Sequence, residues 1–389
     1  MTIFDTVPLD QLRRRTSEKW RAYPPDVLPL FVAEMDVPQP EPVIRAVHDA
    51  MRSGDTGYPH GRGFAEAMGE FAAQRWGWEV DVAASRLASD VMVGVVEALR
   101  LVTDRGSAVV IDPPVYPPFR AFLEHAGHVV VPAPLGPDGR LDLGALDSAF
   151  GRARAHGPRP AYLLCHPHNP TGTLHTAAEL RSVGELAARH GVRVVADEIH
   201  APLVPSRQTF VPTTTQIPDA IALHSASKAF NLAGLRAAVL VPGPEAAADL
   251  ARMSHVVGDG VMHLGTVAET VAYRECGSWL DQVLDGLAHN QRLLARLLAD
   301  QVPDAVWSPP EATYLAWIDL RATDAVRAGA DPAELLLRRG RLAVNPGPTF
   351  GDEGAGHVRL NLAASTSTLT DAVGRMALAL ADRDRFVTI

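Results

Sequence analysis

Short apolar runs alternate with amphipathic stretches along the middle of the chain, and this alternation carries the first structural prediction. Six runs, at 108–112, 128–131, 161–165, 192–197, 220–224 and 237–241, have the length and residue content of buried strands. Residues 64–76, 177–190 and 245–253 instead space their apolar positions as helices do. Continuous apolar strands separated by helices predict a mostly parallel sheet covered on both faces. From about residue 280 the pattern changes. A long helical stretch over 279–300 runs into a proline-rich break, then into strand-like segments at 313–320 and 357–363. The expected organisation is an α/β protein with three parts. These are an N-terminal segment (1–40) joining the small domain, a large domain (41–284) and a small C-terminal α+β domain (285–389).

Composition narrows the class. Hydrophobic residues make up 47% and charged residues 21% of the 389, which excludes a disordered or collagen-like chain. No apolar run approaches the ~18 residues of a membrane span, and the first twenty residues lack the apolar core of a secretory signal. A net charge of −9 argues against nucleic acid as the main partner. Cys165 and Cys276 are the only cysteines, so no disulfide framework is expected and a reducing cytoplasm fits.

One count changes the picture. Lys and Arg total 36, yet only Lys19 and Lys228 are lysines. Arg can fill a surface role, but it cannot lose its proton to act as a nucleophilic amine. Lys19 lies in a charged stretch, QLRRRTSEKWR, that reads as an exposed helix. Lys228 sits among small and apolar residues in HSASKAFNLAGLR, surroundings that favour the neutral amine.

In parallel sheets, ligands bind beyond the carboxyl ends of the strands. Three loaded segments follow expected strands there. Asp197 ends VRVVAD and is either the partner of a protonated ring nitrogen or the cap of a following helix. Asn169 in CHPHNPTG either offers its amide to a ligand oxygen or closes a turn. Ser225 and Arg236 flank Lys228 and could hold an anion. A fourth segment, Gly94, Val95 and Val96, opens a helical pattern whose free N–H groups would suit a phosphate. Tyr116, between prolines in DPPVYPPF, is a stacking platform or a core aromatic. Arg359 in HVRLNLA is a carboxylate clamp or a solvated strand residue. Cys165, His166 and His168 cluster in sequence, but no second group at zinc-like spacing exists, and no metal is expected.

Together SASKAFNLAGLR, HNPTG, DEIH and GYPHGRG resemble the pyridoxal 5′-phosphate (PLP) enzymes of aminotransferase fold type I. More narrowly, PLFVAEMD, PHNPTG, DEIHAPL, SASKAFNLAGL and HVRLNLA resemble the MalY/PatB group of cystathionine β-lyases, from about Leu28 to the C-terminus. The resemblance implies that Lys228 carries the cofactor through its amine and that Asp197 pairs with the ring nitrogen. It places Asn169 on the ring hydroxyl with His200 nearby, and stacks Tyr116 on the ring. It gives the phosphate to Val95, Val96, Ser225 and Arg236. Tyr58 would reach a phosphate across a homodimer interface, and Arg359 would bind the substrate carboxylate. The implied reaction is α,β-elimination from L-cystathionine or a related L-cysteine conjugate, giving a thiol, pyruvate and ammonia. The rival readings are an aminotransferase and a PLP-binding regulator. Arg236 matches aminotransferases generally, where many C–S lyases of the group carry a neutral residue. Phe31 and Val37-Pro38-Gln39 depart from the group's usual aromatics, which leaves the substrate open.

Overall fold

All six expected strands are present in the computed structural model, which describes residues 1–381. With Arg86–Ala88 they form a seven-stranded sheet. Its order is Arg86–Ala88, Ala238–Pro242, Ile221–His224, Arg193–Asp197, Ala161–Cys165, Ala108–Ile111 and Val129–Pro132. Ala238–Pro242 runs antiparallel to both its neighbours, and the other pairings are parallel. Period-2 alternation divides the strand residues between two apolar layers. Val109, Ile111, Leu163, Val195 and Leu223 pack on one face with the helix Val91–Val102. Ala108, Val110, Leu164, Val194 and Ala222 pack on the other with Leu143–Arg154 and Ala177–His190. Each fully buried Leu, Ile or Val removed from water contributes roughly 1.5–3 kcal/mol.

Local chemistry explains where the helices start and stop. Ala177–His190 opens on a capping box in which Thr176 and Glu179 exchange hydrogen bonds, and it ends at Gly191 with φ 62°. Arg140 grips Glu179 through two contacts of 2.6 and 2.7 Å, holding that carboxyl down at about 2. The helix expected at 245–253 shortens to Ala247–Leu250, closed by the turns Ala246 N–H to Gly243 and Met253 N–H to Leu250.

The chain divides into two compact units, Gln39–Asn169 with Thr173–Leu280, and Met1–Pro38 with Pro170–Gly172 and the residues from Asp281 on. The sheet above belongs to the first. The second holds a three-stranded antiparallel sheet, Asn345–Pro346, His357–Asn361 and Leu315–Asp319, and a short parallel pairing of Leu28–Pro29 with Leu342–Ala343.

Lys19 corrects an expectation. The stretch 9–21 is not one exposed helix but two single turns, Leu9–Leu12 and Glu18–Arg21, so the face inferred from a continuous helix does not apply. Lys19 is 1% exposed. Its ammonium donates to Asp36 Oδ1 at 2.7 Å and to the Glu34 carbonyl at 3.1 Å. Burial pushes Asp36 up, and the Lys19 ammonium pulls against it.

Candidate active site

Three adjacent parallel strands deliver the candidate residues. Cys165 and Asp197 are register partners, as are Asp197 and Leu223. The Asn169 turn, the Asp197 carboxylate and the Ser225–Lys228 turn therefore all lie at one carboxyl edge of the sheet. Asp197 shares the side of Val195, toward the helix Val91–Val102. It is 5% exposed, and its Oδ1 accepts the Ile199 N–H at 3.1 Å. Burial raises its pKa to about 6, against the opposing pull of the Ile199 N–H and the charges of Lys228 and His224. A desolvated carboxylate at a strand end is short of cationic partners.

The neighbouring Glu198 turns to the opposite face, where one oxygen lies 3.0 Å from His224 Nε2 and another accepts the Thr213 N–H at 2.7 Å. Trp76 and Trp78 enclose that imidazole. This pair lies under both the Asp197 strand end and the Ser225 turn, and sequence reading missed it. Its only signal was a second carboxylate inside DEIH.

The remaining candidates fall into place as follows. Asn169 is buried, its N–H donating to Cys165 Sγ at 3.4 Å. His200 is buried and opens the short turn Ala201–Leu203. Tyr116 is half-buried, edge-on to Phe119 at 5.8 Å between centroids, and it packs against the sheet's apolar layer. Ser225 is buried, and its hydroxyl lies 3.0 and 3.1 Å from the two oxygens of Glu269. Tyr58 stands out at 89% exposure. Arg359 lies in the other unit. It is not solvated, because all five residues of its strand are buried; its guanidinium donates to the Phe31 carbonyl at 2.9 Å and lies over Phe350.

Val95 and Val96 require a correction. The helix begins at Val91, not Gly94, because Asp90 caps it by accepting the Val93 N–H at 2.9 Å. Val95 and Val96 are its fifth and sixth residues, and their N–H groups bond back to Val91 and Met92. The Val93 and Gly94 N–H groups bond to Asp90, which leaves those of Val91 and Met92 at the helix start. The same Asp90 carboxylate ion-pairs with Arg236. Gly94 serves a different end: a Cβ there would come within 2.6 Å of Leu223, so its absence lets the helix approach the sheet.

The histidines that lie close in sequence group differently in space. Asp112, His168 and His175, all buried, bring one ligand atom each within 4.8 Å of the others, whereas Cys165 and His166 are not among them. Tyr162 donates to Asp112 at 3.2 Å, and burial lowers the His168 pKa to about 3. Both thiols are buried and raised, Cys276 to about 11, so neither is a ready nucleophile.

A buried carboxylate, an amine-bearing turn and a helix start capped by Asp90 lie at one carboxyl edge of the sheet. The chain belongs to the aminotransferase class I and II family, whose model matches residues 25–376. It is 51% identical to the "Putative cystathionine beta-lyase" of Mycobacterium tuberculosis over 97% of this chain and 98% of that protein. It is 31% identical to "Cystathionine beta-lyase PatB" of Bacillus subtilis over 91% and 93%. Among solved structures, a "putative plp-dependent beta-cystathionase" from Corynebacterium diphtheriae superposes with TM-score 0.90 at 33% identity, covering 98% and 100%.

Proposed function

We propose that the protein is a PLP-dependent carbon–sulfur β-lyase that cleaves L-cystathionine or a related L-cysteine conjugate. The observation that carries this reading is Asp197: a buried carboxylate at a strand end, held near 6 and within the field of Lys228. A protonated ring nitrogen supplies the cation such a carboxylate lacks. Bound PLP would supply an aldehyde for the substrate amine and a cationic ring that accepts the electron pair left at Cα.

The chain's own groups then have distinct tasks. Lys228 would hold the cofactor through its amine and, with that amine free, would take the Cα proton as general base. Asp197 stays ionised and keeps the ring nitrogen protonated. Asn169, with His200 beside it in the family arrangement, orients the ring through its hydroxyl, and Tyr116 packs on its face. The phosphate falls to Ser225, Arg236 and the helix opening at Asp90–Val93 rather than to Val95 and Val96. Arg359 takes the substrate carboxylate by family correspondence, with a planar fork suited to it. The pair left at Cα would form a Cα=Cβ double bond as the Cβ–S bond breaks with its own electron pair on sulfur. The thiolate takes a proton, and water releases the rest as pyruvate and ammonia.

The homodimer belongs to the same proposal. Tyr58, Ile44 and Met51 are large exposed apolar side chains of one unit, and a second copy would cover Tyr58 and place it near a phosphate. Among the described residues no helix is long and apolar enough to cross a membrane. A cytoplasmic location is part of the proposal.

The test is the visible absorption of the purified protein with PLP, followed by cystathionine with no keto acid present. Pyruvate and thiol released at equal rates support the lyase. Turnover that begins only when a keto acid is supplied makes the protein an aminotransferase and overturns the reading.

A further inference from the structure

Glu269 is a buried carboxyl for which neither the fold nor the reaction accounts. It lies in the helix His263–Glu275 with 0% exposure. Its surroundings are apolar: Tyr273 follows one turn on, itself packed against Phe64, Phe71 and Phe230. Among the described residues no cation pairs with it. Its contacts instead converge on the turn that leads to Lys228. Oε2 accepts the Ala226 N–H at 2.8 Å. The Ser225 hydroxyl lies 3.0 Å from Oε1 and 3.1 Å from Oε2. Ser225 Oγ also accepts the Ser227 N–H at 3.1 Å and lies 3.0 Å from the Ser227 hydroxyl.

Counting protons gives this arrangement a meaning. A serine hydroxyl has one proton to give. If Glu269 is a carboxylate, the only proton between it and Ser225 is the serine's own, and Ser225 has none left for a ligand. If Glu269 is a carboxylic acid, Oε1–H donates to Ser225 Oγ, Oε2 still accepts from Ala226, and the Ser225 proton is released toward a ligand oxygen. A carboxylate here would also face the phosphate charge without a counter-ion. Burial favours the acid, raising this group well above the ordinary carboxyl range.

We propose that Glu269 is a positioning residue of the phosphate site: as a neutral acid it donates to Ser225 and so makes the Ser225 hydroxyl a donor to the cofactor phosphate. This rests on the PLP reading above, and the experiment separates the two. Equilibrium binding of PLP and of pyridoxal, which lacks the phosphate, is followed by visible absorption for wild type, Glu269→Gln, Glu269→Leu and Ser225→Ala. A glutamine amide donates to Ser225 and accepts from Ala226 as the acid does, so Glu269→Gln should bind PLP within about twofold of wild type. In Glu269→Leu the donor to Ser225 Oγ at this position is gone, so the Ser225 hydroxyl is free to turn to Ser227 Oγ at 3.0 Å as well as to the phosphate, and the variant should bind PLP about 10-fold more weakly, part of the worth of a hydrogen bond to a charged group. It should bind pyridoxal as wild type does, and in a Ser225→Ala background it should add no further loss.

Failure of wild type to bind PLP at all would end the functional reading. Wild type that binds PLP while Glu269→Gln fails like Glu269→Leu would overturn this inference alone. An equal loss of pyridoxal and PLP in Glu269→Leu would do the same. Should the leucine variant not fold, infrared spectra of the holoenzymes decide. The wild-type minus Glu269→Gln difference spectrum must contain the carbonyl stretch of an un-ionised carboxylic acid; a difference spectrum without it overturns the inference.

Discussion

Replacing Asp197 by Asn should make the cofactor-free protein more stable and the enzyme inactive. The side chain is 5% exposed and titrates near 6, against an ordinary carboxyl value of 3.8. A group whose folded-state pKa is raised favours folding while protonated and costs stability once ionised. The cost is absent below about pH 4, grows between pH 4 and 6, and is complete above that. A gap of about two pH units, at roughly 1.4 kcal/mol per unit, amounts to about 3 kcal/mol at pH 8. Asparagine keeps the carbonyl that accepts from Ile199 and carries no charge, so it escapes this cost. Urea unfolding of both cofactor-free proteins at pH 8 and pH 4.5 measures it. The variant should be about 3 kcal/mol more stable at pH 8, with most of that gain gone at pH 4.5. Adding PLP should reverse the order at pH 8, because only the wild-type carboxylate gains from a ring cation. An advantage that does not change with pH, or a variant weaker at pH 8, would refute the idea that burial leaves Asp197 waiting for a cation.

Other outcomes follow from the same geometry. Lys228→Ala should lose at least ~10²–10⁴-fold in turnover, and borohydride should no longer fix PLP to the chain. Asp90→Asn keeps a good N-cap but releases Arg236, so the PLP dissociation constant should fall about fivefold; an unchanged value would remove Arg236 from the phosphate site. Gly94→Val drives atoms into Leu223 and should cost ~1–3 kcal/mol in chemical denaturation. Lys19→Met leaves Asp36 buried and unpaired and should cost ~3–5 kcal/mol, much of it recovered when Asp36→Leu is added, as urea midpoints would show.

Much of the fold was legible because period-2 and period-3.6 patterns report burial directly, and burial in a two-faced sheet is what these strands experience. The strand 161–165 and the helix 177–190 match the sequence reading to the residue, the latter because Thr176, Glu179 and Gly191 mark its ends chemically. The placement of the candidate residues was legible where strand ends deliver them, as at Asn169, Asp197 and Ser225. It was illegible where function depends on which groups meet across the fold. Glu269 lies 44 residues beyond Ser225 on a helix with no local marker. Asp90 was not singled out in the sequence, yet it caps the helix, resets its start and with it the place of Val95 and Val96. Asp112 and His175 are separated in sequence from His168, so the group the fold gathers around it could not be read from the run Cys165, His166 and His168.

The two lysines show why residue economy was a better guide than local context. Context alone placed Lys19 on the surface; it is instead one of the most buried side chains of the protein. An ammonium is a compact point charge, and the Asp36 carboxylate and Glu34 carbonyl offer it two acceptors without the planar fork that Arg needs. In the proposed reaction Lys228 calls on the other property Arg lacks, a proton that can leave. Elsewhere Arg fills the positive charges, in surface and half-buried pairs such as Arg140 with Glu179 and Arg274 with Glu70, where a fork and a permanent charge serve well. A chain that uses Arg by default keeps Lys where guanidinium chemistry or shape fails. That is why the count of two singled out Lys228 as the candidate nucleophile, whereas the buried Lys19–Asp36 pair came to light only in the structure.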